Sequence, residues 1–88
     1  MTDAPSQEPL WHDAFYRFVN IEEPDDLVHI LKSLCEEIGV RGKILLAHEG
    51  INGMLAGTEA QLRKVRAWFD GDKRFAKMTY KRTATSIM

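Results

Sequence analysis

One cysteine, three prolines and no long apolar run set the outer limits on what this 88-residue chain can be. A single thiol, Cys35, cannot close an intramolecular disulfide, so the fold must rest on packing; the low cysteine count fits the cytoplasm, a reducing compartment. No stretch approaches the roughly eighteen consecutive apolar residues that a bilayer span needs, so no membrane segment is expected. The opening MTDAPSQEPL lacks the basic start and apolar centre of a signal or transit peptide, and residues 1–10 read as a disordered tail. His12, His29 and His48 stand far apart, with no Cys or second His at a usual zinc interval, which leaves no metal site to expect. The glycines form neither a G-x-G-x-x-G nor a Walker loop followed by Lys, so no nucleotide cofactor is expected in this domain.

What remains is enough for one small domain over residues 11–88, with 44% hydrophobic and 28% charged side chains, an ordinary balance for a globular protein. The formal net charge of −1 conceals an asymmetry. Residues 1–58 carry four basic and ten acidic side chains, whereas residues 59–88 carry eight basic and three acidic ones. Such separation steers a polyanion toward one side of a domain.

In chain order, Trp11 to Ile21 is rich in aromatic and β-branched residues and reads as a strand. Alternation puts Phe15, Arg17 and Val19 on one face and Tyr16, Phe18 and Asn20 on the other, so both faces carry apolar surface and a central place in a sheet is expected. Pro24, Asp25 and Asp26 mark a helix start, Leu27, Ile30, Leu31, Leu34 and Ile38 form one stripe, and Gly39 supplies the stop. Lys43 to Gly57 is a hairpin: Ile44 to Ala47 run in, Glu49 to Asn52 carry the reversal, and Gly53 to Ala56 return, with a loop expected to exceed two residues and to be bulged. Thr58 and Gln61 form a capping box for a second helix with Leu62, Val65 and Phe69 on its apolar stripe. Phe75 to Thr83 alternates loosely as a last strand, with Met78 and Tyr80 on one face. The order strand, helix, strand, strand, helix, strand gives an α+β fold, a ferredoxin-like (acylphosphatase-like) βαββαβ sandwich whose two helices cover one face of a four-stranded antiparallel sheet.

Few residues invite chemistry. Cys35 lies near a helix C-terminus beside Glu36 and Glu37, both unfavourable to a thiolate, so core packing is its expected role. His48, Glu49 and Asn52 gather an imidazole, a carboxylate and an amide at the hairpin tip, yet Gly50, Asn52, Gly53 and Gly57 already answer to turn geometry, and a structural role is expected for the tip. Acylphosphatases share this fold and place a phosphate-binding arginine on a glycine-rich loop after the first strand. Here the corresponding stretch is I-E-E-P-D-D, acidic where a phosphate cradle should be.

The hairpin carries a resemblance. L-L-A-H-E-G-I-N-G-M-L-A-G is similar to the A-x-E-G-I-N-G-T-x-A-G signature of the bacterial rhodanese-related tRNA uridine hydroxylases, with Met54 where that family commonly has Thr. The resemblance runs from the Phe15 strand to about Arg82. It implies a full protein that oxidises the wobble uridine of tRNA to 5-hydroxyuridine, with a C-terminal rhodanese domain bearing the reactive cysteine beyond Met88. No residue of this chain is therefore assigned a catalytic role, and the expected partners are tRNA and that rhodanese domain.

Within the chain, Lys73, Arg74, Lys77, Lys81 and Arg82 are the candidate RNA-binding residues, a basic edge suited to phosphate. An RNA-recognition motif shares the same element order and places aromatics on its first and third strands; Tyr16 and Phe18 fit the first, but residues 53–56 offer no ring, so backbone contact is the expected mode. A non-catalytic protein-docking or small-molecule-binding module, using the open sheet face, is the alternative.

Overall fold

The computed structural model describes residues 9–85. The tail expected over residues 1–10 falls outside them through residue 8, and Leu10 already opens the first strand. The elements run β1 (Leu10–Phe18), α1 (Pro24–Ile38), β2 (Arg41–Ala47), β3 (Gly50–Gly57), α2 (Glu59–Asp70) and β4 (Thr79–Thr85). The strands form one sheet in the order β2-β3-β1-β4, every pairing antiparallel, as the ferredoxin-like reading requires. The aromatic β1 is central, flanked by β3 and β4.

The local signals act as their chemistry predicts. Pro24 sits in the first turn of α1, and Gly39 closes it at φ 100°, a left-handed position that glycine fills without a Cβ penalty. The box at α2 is complete: the Gln61 amide N–H donates to Thr58 Oγ1 at 3.2 Å, and the Thr58 N–H donates to Gln61 Oε1 at 2.9 Å. Gln61 also donates through Nε2 to the Ile38 carbonyl at 3.3 Å, fastening the start of one helix to the end of the other.

Between helices and sheet lies the core, built on Phe15, Ile21, Leu31, Leu55, Leu62, Phe69 and Phe75. The rings of Phe15, Phe69 and Phe75 pack in sequence, Phe69 standing 5.4 Å from Phe15 and 5.5 Å from Phe75 between centroids, in the tilted and edge-on geometries that aromatic quadrupoles favour.

Four local expectations need correction. The reversal between β2 and β3 takes only His48 and Glu49, and the pairing from Arg41–Ala56 to Ala47–Gly50 runs without a bulge. The turn is placed there because the chain leaving β1 grips it: the Val19 N–H donates to the Glu49 carbonyl and the Ile21 N–H to the His48 carbonyl, both at 3.0 Å. For the same reason β1 ends at Phe18 rather than Ile21, the amides of Val19 and Ile21 bonding to turn carbonyls instead of to a partner strand. At the other end, β4 begins at Thr79 and not Phe75. Phe75 and Met78 are buried, but their amides bond within turns, to Asp72 and Phe75. In α1 the buried stripe is Leu27 and Leu31 with Leu34, Cys35 and Ile38 partly covered, while Ile30 points outward and is 51% exposed.

Candidate nucleic-acid interface

Strand alternation sorts β1 into two functional faces. Asp13 and Phe15 point toward the helices; His12, Ala14, Tyr16 and Phe18 point to the open side. Asp13 is 3% exposed, the one buried charged residue among those described. Two arginines satisfy it. Arg82, opposite it on β4, donates from Nε to Oδ1 at 2.8 Å and from Nη2 to Oδ2 at 3.0 Å, and Arg66 of α2 donates from Nε to Oδ2 at 2.9 Å. Arg66 is held from the other side by Tyr80, its guanidinium carbon 4.1 Å from the ring centroid. Burial alone would raise the Asp13 carboxyl, but the hydrogen bonds from Arg82 and Arg66, and then their charges, hold it below its ordinary value. The Tyr80 hydroxyl is pushed up to about 12, by burial first and by Asp70 next, and stays protonated.

The five candidate cations thus have different surroundings. Arg82 is committed to Asp13. Arg74 grips Asp72 with two side-chain hydrogen bonds, at 3.0 and 2.8 Å, and borders a depression shared with Asn20, Glu22, Glu23 and Asp26. The three carboxylates of that depression repel an anion, and the Glu23 carboxyl is raised by its hydrogen bond and charge interaction with Asp26. Lys73, Lys77 and Lys81 are exposed, and none forms an ion pair with another described residue.

At the hairpin tip His48 is structural in its observed contacts. Its Nδ1 lies 2.9 Å from the Ile21 carbonyl oxygen, and since a carbonyl only accepts, Nδ1 carries the proton. The tip is therefore pinned at both the backbone and the ring. Gly53 faces a crowded site: a Cβ there would stand 2.7 Å from the Lys43 carbonyl oxygen and 2.9 Å from Phe15 Cζ. Gly50 is tighter still, its Cβ position colliding with the Arg17 carbonyl oxygen, and Gly57 backs onto Gln61. Asn52 is exposed on β3, between Leu45 and Tyr16, and belongs to the sheet face rather than to the turn. Cys35 is half-buried, and burial pushes its thiol up, which disfavours the thiolate.

The open face was only partly visible from sequence. Register sets its rows: Arg41, Ala56, His12, Thr83; then Lys43, Met54, Ala14, Lys81; then Leu45, Asn52, Tyr16, Thr79; and last Ala47, Gly50, Phe18. These positions hold three cations and no carboxylate. Arg41 and Lys43 were missed as site residues, although their alternation with Gly42 and Ile44 would have placed them on this side. Among the described residues no helix is long and apolar enough to cross a membrane, and no three His, Cys, Asp or Glu side chains gather as a metal site.

Comparison with known proteins agrees with this architecture. The model of the UPF0176 acylphosphatase like domain matches residues 12–87. A tRNA uridine(34) hydroxylase of Rhizobium leguminosarum bv. trifolii is 37% identical over the whole chain, and one of Cupriavidus metallidurans is 44% identical over 69% of it. The chain spans 29% and 22% of the lengths of those two proteins. Among solved structures, the BLUF protein BlrB in its dark state superposes with a TM-score of 0.75 at 14% identity, covering 92% of this chain and 65% of that one, a likeness of fold alone. By the family match and by the relatives that share its sequence, the chain belongs to the UPF0176 acylphosphatase-like domain family, to which tRNA uridine(34) hydroxylases are related.

Proposed function

We propose that this chain is a tRNA-contacting, positioning domain of a protein that hydroxylates the wobble uridine of tRNA, the oxidation itself being carried out by a rhodanese-type domain elsewhere in that protein. The observation that carries the reading is the set of Lys73, Lys77 and Lys81, exposed and without ion-pair partners among the described residues, running from the end of α2 onto β4. Cations left to solvent along one edge are what a phosphodiester backbone recruits, because each neutralised phosphate releases condensed counterions. Support from outside the chain comes from its relatives, which are tRNA uridine(34) hydroxylases more than three times as long as this chain. A tRNA partner is met in the cytoplasm of a bacterial cell, which agrees with the single cysteine. Arg74 and Arg82 have the second part in this reading: each is already bound to a carboxylate, so its remaining N–H groups contribute less net charge than a lysine does.

Lys77→Ala/Lys81→Ala tests it. The double variant should weaken binding of different tRNAs alike and flatten the logarithmic salt dependence by about one unit per lost contact. Unchanged affinity and slope would leave the basic edge as a solvated surface.

A second reading rests on Tyr16, Phe18, Leu45 and Met54, which are between 51% and 83% exposed on the open face. Clustered apolar side chains of this kind also mark docking surfaces between domains. Under that reading the domain is a non-catalytic scaffold, and the double lysine variant binds tRNA no differently from the unaltered protein.

A further inference from the structure

We propose that the open face of the sheet is a seat for single-stranded RNA, with one unpaired base stacked on Tyr16 and Phe18 and the adjoining phosphates drawn to Lys43 and Lys81. This rests on the tRNA-contacting reading above and deepens it by naming the surface and the form of the ligand.

The two rings stand on one face of the central strand, two residues apart, their centroids 6.1 Å from each other in an edge-to-face pair. Phe18 is 83% exposed, an unusual state for a phenylalanine unless something covers it. Its neighbours in the last row, Ala47 and Gly50, are small, so the rings border a depression of about 370 Å³ whose lining includes Leu45 and Asn52. A flat, half-apolar group fits such a wall. Asn52 stands beside Tyr16 at the centre of the sheet, and its side chain makes no hydrogen bond to the described residues. An amide carries both a donor and an acceptor, the pair needed to read the hydrogen-bonding edge of a base. The third-strand ring that RNA-recognition motifs use is absent, but both aromatics come from β1, and β3 contributes the polar group instead.

Charge decides between a polyanion and a protein as the occupant. Along the strands the face holds Arg41, Lys43 and Lys81 and no carboxylate; Glu49, on the turn, stands at one end of the depression. The Lys43–Lys81 row lies one pleat repeat, about 7 Å, from the Leu45–Tyr16 row, and the two lysines are three strand spacings apart, about 14 Å. A strand of RNA crossing the sheet thus meets a cation on either side of the stacking centre. A protein surface would gain from the apolar side chains but would leave these cations to be desolvated without partners. Single-strand binding by stacking over a positive groove is the physical pattern that this arrangement reproduces.

The test is the affinity of the chain for a fluorescein-labelled tRNA anticodon stem–loop, measured by anisotropy at low and at raised salt, with Phe18→Ala, Phe18→Leu, Phe18→Trp and Lys43→Ala. Because Phe18 is largely exposed, these variants should melt as the unaltered chain does. Loss of one stacked base should weaken binding roughly 5- to 100-fold in Phe18→Ala, with the salt slope kept. Phe18→Leu, which retains apolar surface without a ring, should behave like Phe18→Ala, while Phe18→Trp retains affinity; Lys43→Ala should lower the slope by about one unit. If Phe18→Ala and Phe18→Leu bind as the unaltered chain does, the stacking site is overturned while the lysine edge stands. Retention in Phe18→Leu but not in Phe18→Ala would mean apolar docking of a protein surface and would also overturn it. No binding by the unaltered chain even at low salt removes both this inference and the tRNA-contacting reading.

Discussion

Asp13→Ala should lower the stability of the domain by about 3 kcal/mol, a large share of the roughly 4–13 kcal/mol expected for a chain of this size. The variant leaves Arg66 and Arg82 facing each other across the space of the lost carboxylate. Both arginine side chains are a quarter to a third exposed, which lets them swing toward water and keeps the cost at the low end of the range for a broken buried pair. A thermal melt reads the effect as a fall of roughly 4–8 °C for each kcal/mol lost. Acid gives an independent readout. The folded carboxyl titrates below its unfolded value near 3.8, so the contribution of Asp13 is complete above that pH and is lost as pH falls through the depressed folded value. The unaltered chain should therefore lose stability more steeply below pH 3.8 than Asp13→Ala does. A variant that melts within a degree or two of the unaltered chain would show that the triad does not hold β1 to β4 and α2.

Gly53→Val is the second large effect, with an expected cost of about 3 kcal/mol from overpacking. The reason is space: Gly53 is not among the described positive-φ residues, but its missing side chain leaves room for Phe15 from beneath and for β2 alongside. The new Cβ would press on the Lys43 carbonyl oxygen at 2.7 Å, on Phe15 Cζ at 2.9 Å and on Ile44 Cα at 3.1 Å, and two of these are backbone atoms that cannot turn away. Since Phe15 packs on Phe69, the displacement reaches the ring cluster of the core. Gly53→Ala should show the same sign with a smaller fall in melting temperature. Melts of both variants that match the unaltered chain would remove the close approach as the reason for glycine here.

Much of this fold could be read from short stretches, because its boundaries are written in local chemistry. Pro24 and Gly39 bracket α1, and Thr58 with Gln61 opens α2, each through groups no more than four residues apart. What was illegible depends on distant partners. The turn falls at His48 and Glu49 because Val19 and Ile21 bond their carbonyls, and no local pattern in E-G-I-N-G encodes that contact. Ile30 falls off the α1 stripe, while Cys35 packs against the core as expected, because the sheet lies against a face that periodicity alone defines only to within a residue. The basic edge behaves likewise: sequence counts cations, but it does not tell that Arg82 meets a carboxylate 69 positions away and Arg66 the same one 53 positions away. One signal was present and unused. An aspartate on the Phe15 side of an aromatic strand, in a chain with cations concentrated after residue 58, calls for a buried partner.

The most direct measurement of the central claim, that the domain receives tRNA on the open face of its sheet, is an amide chemical-shift titration of the chain with the unlabelled anticodon stem–loop at low salt. Shifts should concentrate on residues 12–18 of β1, on 41–47 and 50–54 of the hairpin, and on 77–83 leading into and along β4, while α1 stays unperturbed. Shifts confined to the helices, or none at RNA concentrations that saturate the anisotropy signal, would contradict the account.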